Sequence, residues 1–373
     1  MSTSSMPMYE QIQHELMEQI QSGLFQPGDR IPSEKELAER YHVSRITAVK
    51  ALTELALNGY IYRVQGRGSF ANPLDKHLKP SALKLANPPK LSDEPCPVTV
   101  LIPEHADYHS GSIIQGITQT LCFPECFVRL VLTHTNQLEE YALEQALKSG
   151  CAGVILFPVD CEVYSDTILR MHLNKFPLVL IDRCFPGIQS SCVCCDNEKG
   201  GWLAVEHLLS LGHRNICFIA DSSFREQVTS VRYGAYVAAM TEQQLPLHAV
   251  ERFNPQTFSQ EEGERLLNAV RSRKITAAVV SNSHAAEWLL ELCQTVGIRI
   301  PEDLSVVCFD QPRIFQGREP LFTYVEQNSF EMGRRAAELL KEAFESGQEH
   351  ICRKLVLEPK LMIHHSTQTI QEI

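Results

Sequence analysis

The chain has 373 residues, 44% of them hydrophobic and 21% charged, with a formal net charge of −11. This length is too great for one small core and fits a small domain joined to a larger, two-lobed one. Its longest apolar runs are strand-sized and fall short of the ~20 residues of a membrane span, so no membrane association is expected. Residues 1–7 lack the apolar core of a signal peptide, which predicts a cytoplasmic protein.

The cysteines of the chain, thirteen in number, are scattered, which argues against a secreted disulfide framework. The densest group is Cys192, Cys194 and Cys195, with Cys184 nearby. Its spacing differs from the paired C-x-x-C of a zinc site. Because the group lies in a strand-like segment, we predict buried side chains that act as small hydrophobic groups. Redox or metal sensing is the alternative interpretation.

Three helices are predicted near the N-terminus. Residues 9–22 form an amphipathic helix, because apolar residues recur every four positions from Ile12. A second, short helix follows Ser33, which can form a capping box with Glu36. After a turn, Ser44 caps a third helix that ends near residue 58. Its inner face carries alanine and leucine, and its first turns carry exposed polar and basic residues.

Residues 60–71 then form a hairpin with a Gly66-Arg67-Gly68 tip. The first 75 residues are slightly acidic, with seven basic and nine acidic side chains. Phosphate contacts are local, however, and basic residues predominate after Arg40. This small basic patch is typical of a recognition helix followed by a wing that contacts the DNA backbone.

Several spaced motifs resemble the winged-helix domain of the GntR family over residues 7–72. They are Pro32-Ser33-Glu34, Val43-Ser44-Arg45 and Gln65-Gly66-Arg67-Gly68-Ser69-Phe70. The resemblance implies a winged helix-turn-helix that binds double-stranded operator DNA. The expected DNA-binding residues are Ser33, Glu34, Ser44, Arg45, Thr47, Lys50, Gln65, Gly66, Arg67 and Gly68. Val49 stands where the family often has a second basic residue, which predicts a different operator sequence.

Residues 73–97 contain six prolines among polar and basic residues, a composition that predicts an extended linker. From residue 98, strand-sized apolar runs alternate with helical stretches, which predicts parallel sheets with crossover helices. The predicted strands are 98–102, 127–133, 153–157, 177–181, 192–195, 216–220, 276–281 and 304–309. The predicted helices are 111–122, 138–149, 164–173, 198–211, 228–243, 260–273, 284–296 and 329–346. Two open sheets with a cleft between them fit this number of units, because such sheets bind ligands beyond the carboxyl ends of their strands.

Residues 98–367 resemble the LacI/GalR-type effector domain, which is similar to periplasmic sugar-binding proteins. The most specific motifs are Asp196-Asn197 with Gly200-Gly201, and Leu211-Gly212-His213-Arg214. The fold class is therefore α/β, with an N-terminal winged helix-turn-helix and a two-lobed, periplasmic-binding-protein-like domain. Residues 368–373 are expected to form a tail.

The resemblance implies an effector cleft lined by polar side chains at strand ends, namely Asp182, Arg232, Asn282 and Asp310. Carboxylates and amides suit the vicinal hydroxyls of a sugar, and Phe258 and Tyr108 could contact its apolar faces. The sequence departs from the family in two places. Ser283 stands where an aspartate is common, and His109-Ser110 where aromatic residues often occur.

No metal, cofactor or enzymatic activity is expected. His207 and His213 are explained by packing and capping, and the pair His364-His365 has no metal-ligand partner at a suitable spacing. The sequence contains no nucleophile–base pair or phosphate loop that would indicate catalysis. A pure binding or transport protein is disfavoured by the DNA-binding motifs.

The pairing of the two domains resembles the arabinose repressors of bacilli. This implies a homodimeric transcriptional repressor that responds to a small-molecule effector, a sugar such as the pentose L-arabinose. The alternative is a regulator that responds to a non-sugar metabolite or to thiol oxidation.

Overall fold

The structure is a computed structural model. It describes residues 8–57, 60–64, 68–71, 95–103, 107–122, 124–159, 165–185, 190–222, 224, 226–251, 260–317, 319–346 and 351–370. The chain forms two compact units, the first from its N-terminal residues and the second from most of the chain after residue 95. None of the helices described is both long and apolar enough to cross a lipid bilayer.

The first unit has three helices and a small antiparallel sheet. Its elements are α1 (Met8–Gln21), β1 (Arg30–Ile31), α2 (Glu34–Tyr41), α3 (Arg45–Leu57), β2 (Ile61–Val64) and β3 (Gly68–Ala71). The strand order is β1-β3-β2, so β2 and β3 form the predicted hairpin and β1 pairs with its second strand. This arrangement confirms the predicted winged helix-turn-helix. The sequence did not predict β1, because a two-residue strand leaves no periodic signal.

Local chemistry explains the helices of this unit. Ile12 and Leu16 on α1 are fully buried, as the four-residue spacing predicts. The Oγ of Ser33 accepts a hydrogen bond from the Glu36 backbone N–H, and the Glu36 carboxylate accepts one from the Ser33 N–H. This confirms the predicted capping box. The Oγ of Ser44 likewise accepts a bond from the Thr47 N–H at the start of α3.

The second unit contains two lobes, each built on a six-stranded sheet. The strands of the N-lobe are β4 (Cys96–Pro103), β5 (Cys126–Thr133), β6 (Gly153–Leu156), β7 (Leu178–Ile181), β8 (Ser191–Cys195) and β16 (Lys354–Leu357). They are all parallel, in the order β16-β8-β7-β6-β4-β5. Its helices are α4 (Tyr108–Thr120), α5 (Asn136–Lys148), α6 (Asp166–Leu173) and α11 (Ser329–Ser346).

The C-lobe repeats this architecture. Its strands are β9 (Ile216–Ile219), β10 (His248–Val250), β11 (Ala277–Val280), β12 (Ser305–Phe309), β15 (Thr323–Glu326) and β17 (Lys360–Met362). The order is β10-β9-β11-β12-β15-β17, with only β17 antiparallel to its neighbour. Its helices are α7 (Asn197–Ser210), α8 (Gln227–Glu242), α9 (Gln260–Arg271) and α10 (Ser283–Thr295). A two-stranded hairpin, β13 (Phe315–Gln316) and β14 (Glu319–Pro320), precedes β15.

Helices α4 and α11 pack closely because two glycines lie where they meet. A Cβ atom built on Gly116 would lie 2.1 Å from the Phe330 carbonyl oxygen. A Cβ on Gly333 would lie 2.1 Å from the Ile113 carbonyl oxygen. Any side chain at these positions would force the helices apart. This contact fixes the position of α4, whose first turn carries His109.

The eight strands predicted after residue 98 all form, within a few residues of the predicted bounds. The first begins two residues earlier, at Cys96, inside the segment predicted as linker. Four strands of the two six-stranded sheets were not predicted from the sequence, namely residues 248–250, 323–326, 354–357 and 360–362. Each has only three or four residues, and three of the four carry exposed side chains that break the apolar pattern.

Two of the clustered cysteines form a bond that the sequence did not predict. Cys192, Cys194 and Cys195 are all buried, which agrees with the predicted packing role. Cys184 and Cys192, however, are joined in a disulfide. The purely hydrophobic interpretation was therefore wrong for Cys192, because the loop after β7 brings Cys184 beside β8.

Candidate functional site

Two buried carboxylates occupy equivalent positions in the two lobes. Asp182 follows β7 of the N-lobe, and Asp310 follows β12 of the C-lobe. Both have left-handed backbone conformations, with φ angles of 65° and 62°. The backbone N–H of each still bonds to the neighbouring strand, at Val193 and Val325 respectively. Each carboxylate therefore lies at the carboxyl end of its sheet, where open α/β sheets bind ligands.

His109 lies between these two carboxylates. It is in the first turn of α4, which Asp107 caps. Its Nδ1 is 2.7 Å from the Ser329 Oγ and 3.4 Å from the Asp310 Oδ1, and its Nε2 is 3.5 Å from the Asp182 Oδ1. This single ring therefore connects carboxylates of both lobes.

The charges around His109 set its protonation state. Burial opposes protonation, but Asp310 and Asp182 outweigh it and raise the pKa of His109 to about 9. Burial also works against ionisation of Asp182, yet His109 and Arg183 hold the pKa of this carboxyl below its ordinary value. The pKa of Asp310 is raised because burial outweighs the nearby cations. At neutral pH a protonated His109 faces an ionised Asp182.

Arg232 supplies a second buried cation from α8. Its Nε donates to the Asn197 Oδ1 at 2.7 Å, and its Nη1 donates to the Ser281 carbonyl oxygen at 2.6 Å. Its guanidinium lies over the Phe309 ring, 3.9 Å from the centroid. These contacts hold Arg232 beside the strand ends of the C-lobe.

Two buried polar atoms near these groups, the Ser281 Oγ and the Gln327 Oε1, have no hydrogen-bond partner within the described part of the chain. The His109 Nε2 and the Asp182 Oδ1 make no hydrogen bond of good geometry either, but they face each other as an ion pair at 3.5 Å. The Gln327 amide already donates to the Asp310 Oδ2 at 2.8 Å. An unpaired buried polar group costs about 1–3 kcal/mol, so such a cluster indicates a place where a polar ligand supplies the missing partners.

The other predicted effector residues differ in their surroundings. Asn282 caps α10 by accepting from the Ala285 N–H, and its amide donates to Asp221 at 2.8 Å. Tyr108 is 42% exposed and packs edge-to-face on Phe315. Phe258 lies outside the residues that the structure describes. The structure thus brings Asp182, Arg232 and Asp310 together with polar groups, whereas the side chain of Asn282 already has two partners.

Sequence reasoning did not select four polar residues of this buried cluster: His109, Asn197, Ser281 and Gln327. His109 was noted only as a departure from the family pattern. Ser281 directly follows β11, a strand-end position that could have identified it. The position of Gln327 after β15 gave no signal, because that strand itself was not predicted.

The first unit presents the predicted DNA-binding residues at the start of α3. Arg45 is exposed and is the first residue of the helix, and Thr47 is partly buried beside Ser44. No acidic side chain lies in the first turn of α3, so the positive end of the helix dipole is unopposed there. Ser33 and Glu34 lie at the start of α2, where Ser33 is occupied by its capping bonds.

Two further residues that are predicted to bind DNA, Lys50 and Gly68, lie close to other residues of the same unit. The Lys50 ammonium lies over the Tyr9 ring, 3.4 Å from the centroid, which ties this side chain to α1. Gly68 begins β3 with a φ of 108°, and a Cβ there would be 3.2 Å from the Arg30 Nε. Gln65, Gly66 and Arg67 lie outside the described residues.

Two protein-family models match the chain. The model for bacterial regulatory proteins of the gntR family matches residues 8–70, which contain all of α1, α2 and α3. The model for a periplasmic binding protein-like domain matches residues 205–367, which contain most of the C-lobe.

Two similar proteins align with this chain over both of its units. The arabinose metabolism transcriptional repressor of Geobacillus stearothermophilus is 27% identical over 381 residues, which cover 99% of this chain and 100% of that repressor. The protein of the same name from Halalkalibacterium halodurans is 27% identical over 379 residues, 96% of each chain.

Solved structures share the two-lobed fold. A LacI family transcriptional regulator from Enterococcus faecium, solved with bound ribose, has a TM-score of 0.62 and 22% identity. The similarity covers 74% of this chain and 100% of that one. The chain therefore joins an N-terminal DNA-binding domain of the bacterial gntR regulatory family to a periplasmic binding protein-like domain.

Proposed function

We propose that the protein is a transcriptional repressor whose DNA binding is controlled by a sugar in the cleft between its two lobes. The full-length relatives carry the name of arabinose metabolism repressors, which makes L-arabinose the first candidate effector. The proposed domain bounds are 1–72 for the DNA-binding domain, 73–97 for the linker and 98–367 for the effector domain.

The observation that carries the sugar proposal is the set of unpaired polar atoms in the cleft. The Gln327 Oε1 accepts, and the Ser281 hydroxyl can donate or accept. The Asp182 Oδ1, although ion-paired with the His109 Nε2, has a second lone pair that can accept from a ligand. A ligand that satisfies this set needs several adjacent groups that both donate and accept. Vicinal hydroxyls meet that requirement, and an apolar metabolite does not.

The charges in the cleft favour a neutral ligand. Asp182 and Asp310 supply two carboxylates, while His109 and Arg232 supply two cations, and all four side chains are buried. An anionic group such as a phosphate would add an unbalanced charge beside two carboxylates, at a high desolvation cost. We therefore expect a neutral sugar to bind more tightly than its phosphate.

The DNA-binding part of the proposal assigns base contacts to Arg45 and Thr47, with Ser44 beside them at the helix start. An exposed arginine in the first turn of a recognition helix can bond to guanine in the major groove. Lys50 and Glu34 are secondary candidates, and Gln65 to Gly68 are proposed to contact the backbone as the wing.

A homodimer through the effector domains is part of the proposal. Strand β5 is the edge of the N-lobe sheet, and Leu132 on it is 52% exposed and lines one surface pocket with Tyr141. Tyr141 on α5 is 61% exposed. Contiguous apolar side chains on an edge strand and the following helix are typical of a subunit interface. A dimer would present two recognition helices to a pseudo-palindromic operator.

A thermal-shift comparison of two serine variants tests the effector proposal. L-arabinose at about 100-fold excess over its Kd should stabilise the wild-type protein by ~2.7 kcal/mol. Ser281→Ala removes an unpaired hydroxyl, so it should leave the free protein as stable as wild type but reduce this shift. Ser305→Ala is the matched control outside the cleft. Its buried hydroxyl bonds to Gln368, so it should lower stability and leave the shift intact.

The same assay with other pentoses, hexoses and sugar phosphates tests the charge argument. A larger shift with a sugar phosphate than with its parent sugar would contradict the neutral-ligand proposal. If no sugar shifts the unfolding temperature, the alternative effector, a non-sugar metabolite, takes precedence.

A further inference from the structure

A cluster of three sulfur atoms lies beside the cleft. The Sγ atoms of Cys184, Cys192 and Cys194 all lie within 4.8 Å of one another. Cys192 and Cys194 are both on β8, on the face opposite to Val193 and Cys195, which belong to the N-lobe core. Cys184 is half-buried and the other two are buried, so Cys184 is the member that a reagent in solution reaches first.

The disulfide-bonded cysteine pair is linked directly to the cleft. Cys184 is two residues after Asp182, and its carbonyl oxygen accepts a hydrogen bond from the Gln227 Nε2 at 3.0 Å. Arg183, between them, lies 3.6 Å from both the Asp182 and the Glu226 carboxylates. Glu226 and Gln227 begin helix α8 of the C-lobe. The segment that carries the N-lobe carboxylate therefore also contacts the other lobe.

We propose that Cys184 and Cys192 form a reversible thiol–disulfide pair whose oxidation state sets the affinity of the cleft for its ligand. In addition to the Asp182 N–H bond to Val193, the disulfide gives the segment after β7 a second tie to β8, which restrains Arg183 beside Glu226 of the other lobe. Reduction releases that tie, and ligand binding must then order the segment. The effect on affinity rests on the proposed function.

Peroxides are the oxidant class for this step. The Cys184 thiolate attacks a peroxide oxygen, the O–O bond breaks, and Cys184 becomes a sulfenic acid with release of water or an alcohol. The Cys192 thiol then attacks the Cys184 sulfur, the S–O bond breaks, and water leaves. Two electrons and two protons pass from the thiols to the peroxide. A dithiol reductant reverses the reaction by thiol–disulfide exchange.

Cys194 provides a matched control. It lies on the same strand face as Cys192, two residues away, and is not bonded. Burial raises the pKa of its thiol, which keeps it protonated and unreactive at neutral pH. A Cys194→Ser variant should therefore retain the pair, whereas Cys184→Ser or Cys192→Ser should abolish it.

Differential alkylation of the full-length protein tests the chemistry. After peroxide treatment, free thiols are blocked with one label, the protein is reduced, and the newly exposed thiols receive a second label. Cleavage after Arg183 and Lys199 yields one peptide that contains Cys184, Cys192, Cys194 and Cys195. The second label should appear on Cys184 and Cys192 only, and disappear after dithiol treatment. A different pairing, or no second label on this peptide, overturns the proposal.

The same protein preparations test for a metal site. Three thiolates could bind a soft metal ion, so the reduced protein is titrated with Zn²⁺ alone. Tight stoichiometric binding that each of the Cys184→Ser, Cys192→Ser and Cys194→Ser variants abolishes would overturn the redox proposal in favour of a metal site. Absence of such binding supports the redox pair.

Titration of L-arabinose, followed by the thermal shift, tests the effect on the cleft. The oxidised forms of the wild type and of Cys194→Ser should bind L-arabinose about three- to tenfold more tightly than their reduced forms. A change of this size corresponds to the free-energy cost of ordering one side chain on binding. Cys192→Ser should show no dependence on redox state. Equal affinities in both states of the wild type overturn the coupling. If L-arabinose stabilises neither state, the proposed function fails for this sugar, and the label positions still decide the chemistry of the pair.

Discussion

The protonation of His109 predicts a specific loss of stability at alkaline pH. The folded-state pKa is about 9, against 6.5 for an ordinary histidine. Because the folded protein binds this proton more tightly than the unfolded chain, the stabilisation is complete below pH 6.5 and is lost as the pH rises to about 9. A difference of this size corresponds to about 3 kcal/mol. The free energy of unfolding should therefore fall by this order across that window.

Urea unfolding at about pH 6 and about pH 9.5 measures this change. His109→Gln cannot carry the charge, so its unfolding free energy should vary little over the same interval. His213 provides a control, since it is buried and hydrogen-bonded to Thr276 and Gln368, and burial lowers its pKa. Its stability contribution is lost at acid pH instead, so His213→Gln should retain the alkaline fall. An equal fall in His109→Gln and wild type would refute the assignment of a protonated His109 between the carboxylates.

Three further predictions concern single contacts. Arg45→Ala should weaken duplex DNA binding and reduce the slope of log affinity against log salt by about 1; fluorescence anisotropy titrations, with the exposed Lys35→Ala on α2 as control, measure both. Ser33→Ala removes the capping box of α2 and should cost about 1 kcal/mol in urea unfolding, without changing L-arabinose binding. Gly333→Ala puts a methyl group against the Ile113 carbonyl and should cost about 3 kcal/mol or more; an unfolding free energy close to wild type would contradict the close packing of α4 on α11.

Much of the fold follows from local sequence signals. The capping box at Ser33 and the apolar face beginning at Ile12 placed the first two helices. The apolar runs placed eight strands of the larger unit, because fully buried parallel strands leave an uninterrupted hydrophobic signal. Asp182 and Asp310 were selected as site residues from the family resemblance, and each directly follows such a run.

The composition of the cleft could not be predicted in the same way. His109 acquires its role only when α4 of one lobe lies against the strand end of the other, and no local pattern reports that approach. The disulfide has the same origin, since Cys184 and Cys192 are brought together by the pairing of β7 with β8. Gln327 was missed because the strand that precedes it has only four residues and was itself not predicted.

The central proposal is that ligand binding in the cleft controls the DNA-binding domain. It is tested most directly by measuring the affinity for duplex DNA with and without the sugar. A duplex selected by the protein from a random-sequence pool would be titrated by fluorescence anisotropy, first alone and then with saturating L-arabinose. A coupling free energy of about 1–3 kcal/mol predicts affinity about 5- to 150-fold weaker with the sugar. Ser281→Ala should require more sugar for the same change. Unchanged duplex affinity at a sugar concentration that raises the unfolding temperature would contradict the account.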